Sequence, residues 1–261
     1  MALKIDSGEI HVWCIFFEHL RDESLLMTFR ELLNEEERQQ ETRFYFDRDR
    51  RRYLITRALV RTTLSRYANL SPQQWTFTSN EYGRPEISNI EPQIRKLSFN
   101  ISHTNHLIAL GIALDDMLGL DVENVKHHEV SLDVADRFFS LDEISDLYKE
   151  PPERRRQRFF ELWTLKESYI KARGMGLAIP LDHFAFRFPR NDSVRLSIDP
   201  KQNDIASRWR FWQFRLRSEY LMAVCAQRVS DEPPKLIIKE VIPFVSEQPL
   251  DSVISRTSEN N

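Results

Sequence analysis

The hydrophobic positions of this chain switch between the two periods that distinguish strands from helices. Ile10 to Phe17 is a short apolar run, rich in aromatic and β-branched residues, and reads as a mostly buried strand. Asn34 followed by Glu37 is a capping-box start, because Asn accepts from free amides while Glu reaches back. Helix-favouring residues continue from there to about Tyr67, as one long or one broken element. Ser71-Pro72 marks a turn or brief helical start, and Trp75 to Ser79 alternates like a strand. Tyr82-Gly83-Arg84-Pro85 is a turn whose proline holds Arg84 extended. Leu97 to Ile101, Leu107 to Leu114 and Leu118 to Glu123 read as strands.

The second half has the same layout. Ser131 to Phe139 and Leu141 to Tyr148 read as short helices, the latter opened by the Ser140/Glu143 capping box. Pro151-Pro152 breaks the chain, and Glu153 to Arg173 forms a strong helix ended by Gly174. Strands follow near Phe184 to Phe188, Val194 to Ile198, Trp209 to Leu216, Tyr220 to Gln227 and Leu236 to Ile242. After Phe244 the residues turn polar, and a frayed tail is expected. Helix followed by strands, twice over, predicts an α+β fold of two similar halves. The expected division is 1–116, 117–230 and a terminal segment 231–261. The internal repeat is faint, little more than Arg43-Phe44-Tyr45 against Arg137-Phe138-Phe139.

Composition narrows the chemistry. The 261 residues are 41% hydrophobic and 30% charged, which fits a folded globular chain and excludes disorder over most of it. The longest apolar stretch, Leu107 to Leu114, is far short of the ~20 residues of a membrane helix. Met1 to Glu9 carries two acids and no apolar signal core, and Cys14 and Cys225 offer neither a disulfide framework nor a thiolate zinc site. A cytoplasmic protein without a membrane partner is the expectation. With 37 basic and 40 acidic side chains, the net charge of -3 does not announce a nucleic-acid binder. Six glycines stand where an average usage of ~7% would give ~18, and neither a P-loop nor a dinucleotide fingerprint is present. Any phosphate must therefore be held by side chains.

Four segments bear on how. Asp121 and Glu123, two apart in a strand, point to one face while Leu120 and Val122 point to the other. Two such carboxylates repel unless a proton or a cation intervenes, and oxygen-only ligands suit Mg²⁺; the plainer alternative is a solvated strand end. Trp163, Glu167 and Lys171 stack on one face of a helix that is apolar nearly all round. Either they form a surface ion pair, or Glu167 supplies a third carboxylate with Lys171 beside a phosphate. Ser98 to Thr104 places Ser102, His103 and Thr104 at a strand end. Neighbouring Ser and His face opposite ways and cannot form a catalytic dyad, so His103 is a structural group or a donor to phosphate. Between Arg43 and Arg66 lie eight arginines and no lysine, mostly a solvated helix face with one or two able to turn inward.

Taken in order, Tyr82-Gly83-Arg84-Pro85, Phe99-Asn100-Ile101-Ser102-His103, Gly119-Leu120-Asp121-Val122-Glu123 and Trp163 to Lys171 resemble the Sfp-type 4′-phosphopantetheinyl transferases, from about Leu33 to Gln227. The resemblance implies a pseudo-dimer within one chain, with coenzyme A in a cleft between the halves and an apo acyl or peptidyl carrier protein as partner. It implies that Asp121, Glu123 and Glu167 hold Mg²⁺, with Lys171 beside the reacting phosphate. Arg84 and Pro85 would flank the adenine, Ser102 and His103 would contact the nucleotide phosphate, and Arg52, with Arg43 nearby, would meet the 3′-phosphate. One departure stands out: two lysines of well-known members are replaced by Glu37 and Gln40. The competing readings are a Mg²⁺-dependent nuclease and a non-catalytic carrier-binding module. The first lacks the usual acid-x-Lys, since the lysine after Glu123 comes only at Lys126.

Overall fold

The computed structural model describes residues 3–91, 94, 96–114, 117–126 and 132–259. The first half contains β1 (Glu9–Phe16), α1 (Glu23–Glu31), α2 (Glu35–Arg43), α3 (Asp47–Leu64), β2 (Phe77–Ser79), β3 (Pro85–Ile87), β4 (Leu97–Thr104) and β5 (Leu107–Leu114). Next come β6 (Leu118–Asn124), α4 (Asp133–Phe138), α5 (Leu141–Lys149), α6 (Pro152–Arg173), β7 (Phe184–Arg187), β8 (Ser193–Ile198), β9 (Trp209–Leu216) and β10 (Tyr220–Gln227). The chain ends with β11 (Lys235–Ile242), β12 (Ser246–Pro249) and β13 (Ser252–Ser258).

Two sheets lie face to face. One has the order β12-β11-β1-β5-β4 and the other β6-β10-β9-β13-β8-β7. Period-two alternation explains the layering. Along β1, Trp13 and Ile15 join a core with α1 and α3, while Val12 and Cys14 point into the core between the sheets. Along β10, Met222 and Val224 meet them there, while Ala223 and Cys225 pack with Leu165 and Tyr169 of α6. Helices outside and sheets inside make four layers; the first half supplies β1, β4 and β5 of one sheet, to which the terminal segment adds β11 and β12, and the other sheet is built by the second half with β13. The mixed α+β fold of two halves expected from the sequence is the observed one.

Local signals act where the sequence placed them. Asn34 and Glu37 cap α2 reciprocally, as Ser140 and Glu143 cap α5. The first-half helical stretch is broken at Phe44, and an additional helix, α1, is opened by Asp22 accepting from Ser24 and Leu25 amides. Both copies of the faint repeat mark helix C-termini, Arg43 in α2 and Arg137-Phe138 in α4. Gly174, at φ 68°, ends α6 in the left-handed region. Gly119 lets α6 lie directly on β6, since a Cβ there would run into the Ser168 and Ala172 backbones. Ser131 and the expected division at 116 lie outside the described residues.

The expected frayed tail is corrected. β12 pairs with β11, and β13 slots between β9 and β8, antiparallel to the first and parallel to the second. Its polar side chains bond inward: Ser255 Oγ donates to the Gln213 carbonyl at 3.0 Å, and Arg256 Nη1 donates to Gln213 Oε1 at 2.9 Å. A strand between two neighbours satisfies its amides without needing an apolar face, which is why composition concealed it. No helix among the described residues is long and apolar enough to cross a membrane.

Candidate active site

The site forms where β4, an edge of the first sheet, meets β6, an edge of the second. Edge strands leave amides without backbone partners, and β4 side chains fill the role on β6. Asn100 Oδ1 accepts from the Leu120 amide at 2.9 Å, Ser102 Oγ from Val122 at 3.2 Å and Thr104 Oγ1 from Asn124 at 3.1 Å.

The other face of β6 turns toward α6. There Lys171 Nζ lies 2.6 Å from Asp121 Oδ1 and donates to Ser102 Oγ at 2.9 Å. Ser102 donates its own proton to Asp121 Oδ1 at 2.8 Å, and Thr104 donates to Glu123 Oε2 at 3.3 Å. Asp121 is only 5% exposed, and its Oδ2 is buried with no hydrogen-bond partner. Glu167, one helical turn before Lys171, shares this environment. Burial pushes its carboxyl from 4.5 up to about 7; the Asp121 charge raises it further, Lys171 opposes, and Glu123 adds to the rise. His103 points outward from β4, yet desolvation by its surroundings lowers its pKa. The Arg52 and Lys171 charges add to that lowering, and Asp121 opposes it.

The expected trio of Asp121, Glu123 and Glu167 is brought to one locality, close enough for each acid to perturb Glu167. Among the described residues, however, no three His, Cys, Asp or Glu side chains form a ready-made metal cage. Like charges repel, so Lys171 closes on Asp121 instead. The donor set still suits a hard divalent cation. An orphaned buried carboxylate oxygen, and a carboxyl whose ionised form is disfavoured by burial and then by its acidic neighbours, are both groups that such an ion would satisfy.

The expected nucleotide-binding residues divide. Arg43 and Pro85 line one cleft together with Gln40, Tyr53, Arg57 and Phe77, all from the first half. Arg52 holds Asp49 at 3.0 Å and projects its charge toward His103. Arg84 reaches across to the second half. Its Nη1 donates to the Lys171 carbonyl at 2.7 Å and the Ala172 carbonyl at 3.1 Å, and its Nη2 donates to Leu118 at 3.1 Å. It therefore caps α6 from the opposite half. Ser102 is fully engaged within the chain, its one donor and two acceptor positions all in use.

Glu37 explains the departure noted in the sequence. It is buried, caps α2, and pairs with both Arg57 and Arg61; Arg61 also donates to the Pro72 and Trp75 carbonyls. A lysine would fail there, but Arg57 keeps a positive charge beside the cleft, stacked 4.6 Å from the Phe77 ring centre. Lys126, the residue a nuclease reading would need, sits 3.2 Å from Glu219 instead. The double role of Ser102 and Thr104 went unread in the sequence, although the polar stripe Asn100-Ser102-Thr104 at period two was its visible sign.

Family models agree with this arrangement. Residues 117–225 match the 4′-phosphopantetheinyl transferase superfamily, and residues 21–113 match the 4′-phosphopantetheinyl transferase N-terminal family. The 4′-phosphopantetheinyl transferase Sfp of Bacillus subtilis (strain 168) is 35% identical over 199 residues, 76% of this chain and 84% of its own length. The chain belongs to the Sfp-like 4′-phosphopantetheinyl transferases. A second Bacillus subtilis transferase of this family, ffp, is 34% identical over 203 residues, 78% of this chain and 84% of that one. HetI of Nostoc sp. is 32% identical over 176 residues, covering 67% and 73% respectively. Both superfamily segments of this transferase fall on the two halves seen in the fold, and the acidic cluster lies where they join.

Proposed function

We propose that the protein transfers the 4′-phosphopantetheine group of coenzyme A to a serine of an apo acyl or peptidyl carrier protein, releasing 3′,5′-ADP. The observation that carries this reading is the convergence of Asp121, Glu123 and Glu167 around the Lys171–Asp121 pair, at the junction of the two halves. A positioned general base typically contributes 10²–10⁴-fold. In the reaction the carrier serine oxygen forms a bond to the β-phosphorus of coenzyme A, and the bridging P–O bond to the adenylate breaks. Glu167, directly or through a water that it orients, takes the serine proton. The Lys171 ammonium stands by the phosphate oxygens of the departing 3′,5′-ADP, where charge develops. Asp121, Glu123 and Glu167 would hold Mg²⁺, which supplies charge neutralisation for a diphosphate when bound. Arg43, Arg52, Pro85 and His103 would receive the nucleotide, with Ser102 holding Lys171 and Asp121 in place. Two buried, unpaired cysteines suit the reducing cytoplasm in which such carriers would be met.

The test is mass spectrometry of apo carrier proteins incubated with the purified protein, coenzyme A and Mg²⁺. One added phosphopantetheine, absent with Glu167→Gln, is expected; carriers of unchanged mass across a panel would overturn the assignment.

A further inference from the structure

Ser102 and Thr104 repeat one pattern with the same offsets. Each accepts the amide of the β6 residue twenty positions on, Val122 or Asn124. Each donates to the carboxylate nineteen positions on, Asp121 or Glu123. A hydroxyl has one proton to give and two lone pairs to receive. Once an amide occupies a lone pair, the remaining proton is free to point at the carboxylate beside it. Asn100 makes the same seam contact to Leu120, but glycine stands at the carboxylate position, Gly119.

We propose that Ser102 and Thr104 are positioning residues, through which the first half of the molecule aims the Asp121 and Glu123 carboxylates carried by the second. The inference rests on the reading that these carboxylates bind a divalent cation. Ser102 spends all its capacity on the seam, Asp121 Oδ1 and Lys171, so that Asp121 Oδ2 is the oxygen left over. Thr104 fixes one oxygen of Glu123 in the same way. Partners one step behind a metal ligand typically carry 10–100-fold in metal affinity or activity. The acidic pair is thereby oriented by a strand of the opposite sheet, and cation affinity reports the integrity of the junction.

The structure contains its own control. Mn²⁺ binding to the full-length protein, followed by loss of the free-ion paramagnetic resonance signal, would be compared for Ser102→Ala, Thr104→Val, Thr104→Ser and Asn100→Ala, alongside melting temperature. Ser102→Ala and Thr104→Val are expected to weaken Mn²⁺ by 10–100-fold. Thr104→Ser keeps the hydroxyl and should bind like the wild type. Asn100→Ala should melt lower while its affinity stays near that of the wild type. Equal weakening by Asn100→Ala would reduce the hydroxyls to seam contacts and overturn the proposal, as would wild-type affinity in Thr104→Val. If Thr104→Val does not fold, Ser102→Ala in an Asp121→Asn background decides. Aiming predicts that it adds little to the loss from Asp121→Asn alone, and a full additive loss refutes it. A wild-type protein that modifies carriers without binding Mn²⁺ or Mg²⁺ would remove the cation and this inference, leaving the transferase reading intact.

Discussion

Lys171, near the end of α6, places its ammonium 2.6 Å from Asp121, in the middle of β6. The lysine side chain is 26% exposed and the aspartate 7%, so the pair is shielded from water but open on one side. Removing the cation strands a nearly buried carboxylate. Lys171→Met should lower stability by on the order of 1–3 kcal/mol in urea unfolding and reduce carrier modification at least about 100-fold. Unchanged turnover would take Lys171 out of the chemistry.

Glu167 makes stability depend on pH with a definite sign. Its folded pKa of about 7 lies above the ordinary 4.5, so the folded state binds the proton more tightly. This contribution is complete below pH 4.5 and is lost as pH rises through 7. Wild-type protein in chelator should therefore lose on the order of 3 kcal/mol more than Glu167→Gln between those limits. Mg²⁺ competes with the proton and should stabilise the wild type more at pH 8 than at pH 5. Parallel unfolding curves for the two proteins would refute the assignment.

Glu37→Lys restores a residue of well-known members and should nevertheless fail. It would set a third positive charge beside Arg57 and Arg61, the latter fully buried. Loss of a buried pair costs roughly 3–5 kcal/mol. Circular dichroism should find this variant largely unfolded at 37 °C, whereas Gln40→Lys, on the exposed side of α2, should fold normally.

Arg84→Lys tests the cap on α6. A guanidinium fork reaches the Lys171, Ala172 and Leu118 carbonyls together, and a single ammonium does not. The expected cost is about 1–3 kcal/mol in urea, with Arg84→Ala no better. A stable variant with weakened coenzyme A binding would return Arg84 to the ligand.

Much of this was legible in the sequence, because two-residue and 3.6-residue periods are local. The common face of Asp121 and Glu123, and the Glu167–Lys171 turn, follow from them directly. Contacts that join distant segments were not. Ser102 meets Asp121 only because two sheet edges abut without backbone pairing, and Arg84 reaches α6 only because a hairpin turn lies against its end. Glu37 was legible as a helix cap, but its pairing with Arg57 and Arg61, twenty and twenty-four residues on, was not. β13 had no apolar stripe to announce it, since its neighbours in the sheet supply what an apolar face would.

The path of the chain between the sheets has a mechanical corollary. It passes from the first to the second between β5 and β6, returns between β10 and β11, and passes over again between β12 and β13. Three separate crossings tie the two sheets to one another. Shearing one sheet against the other would therefore strain all three crossings at once.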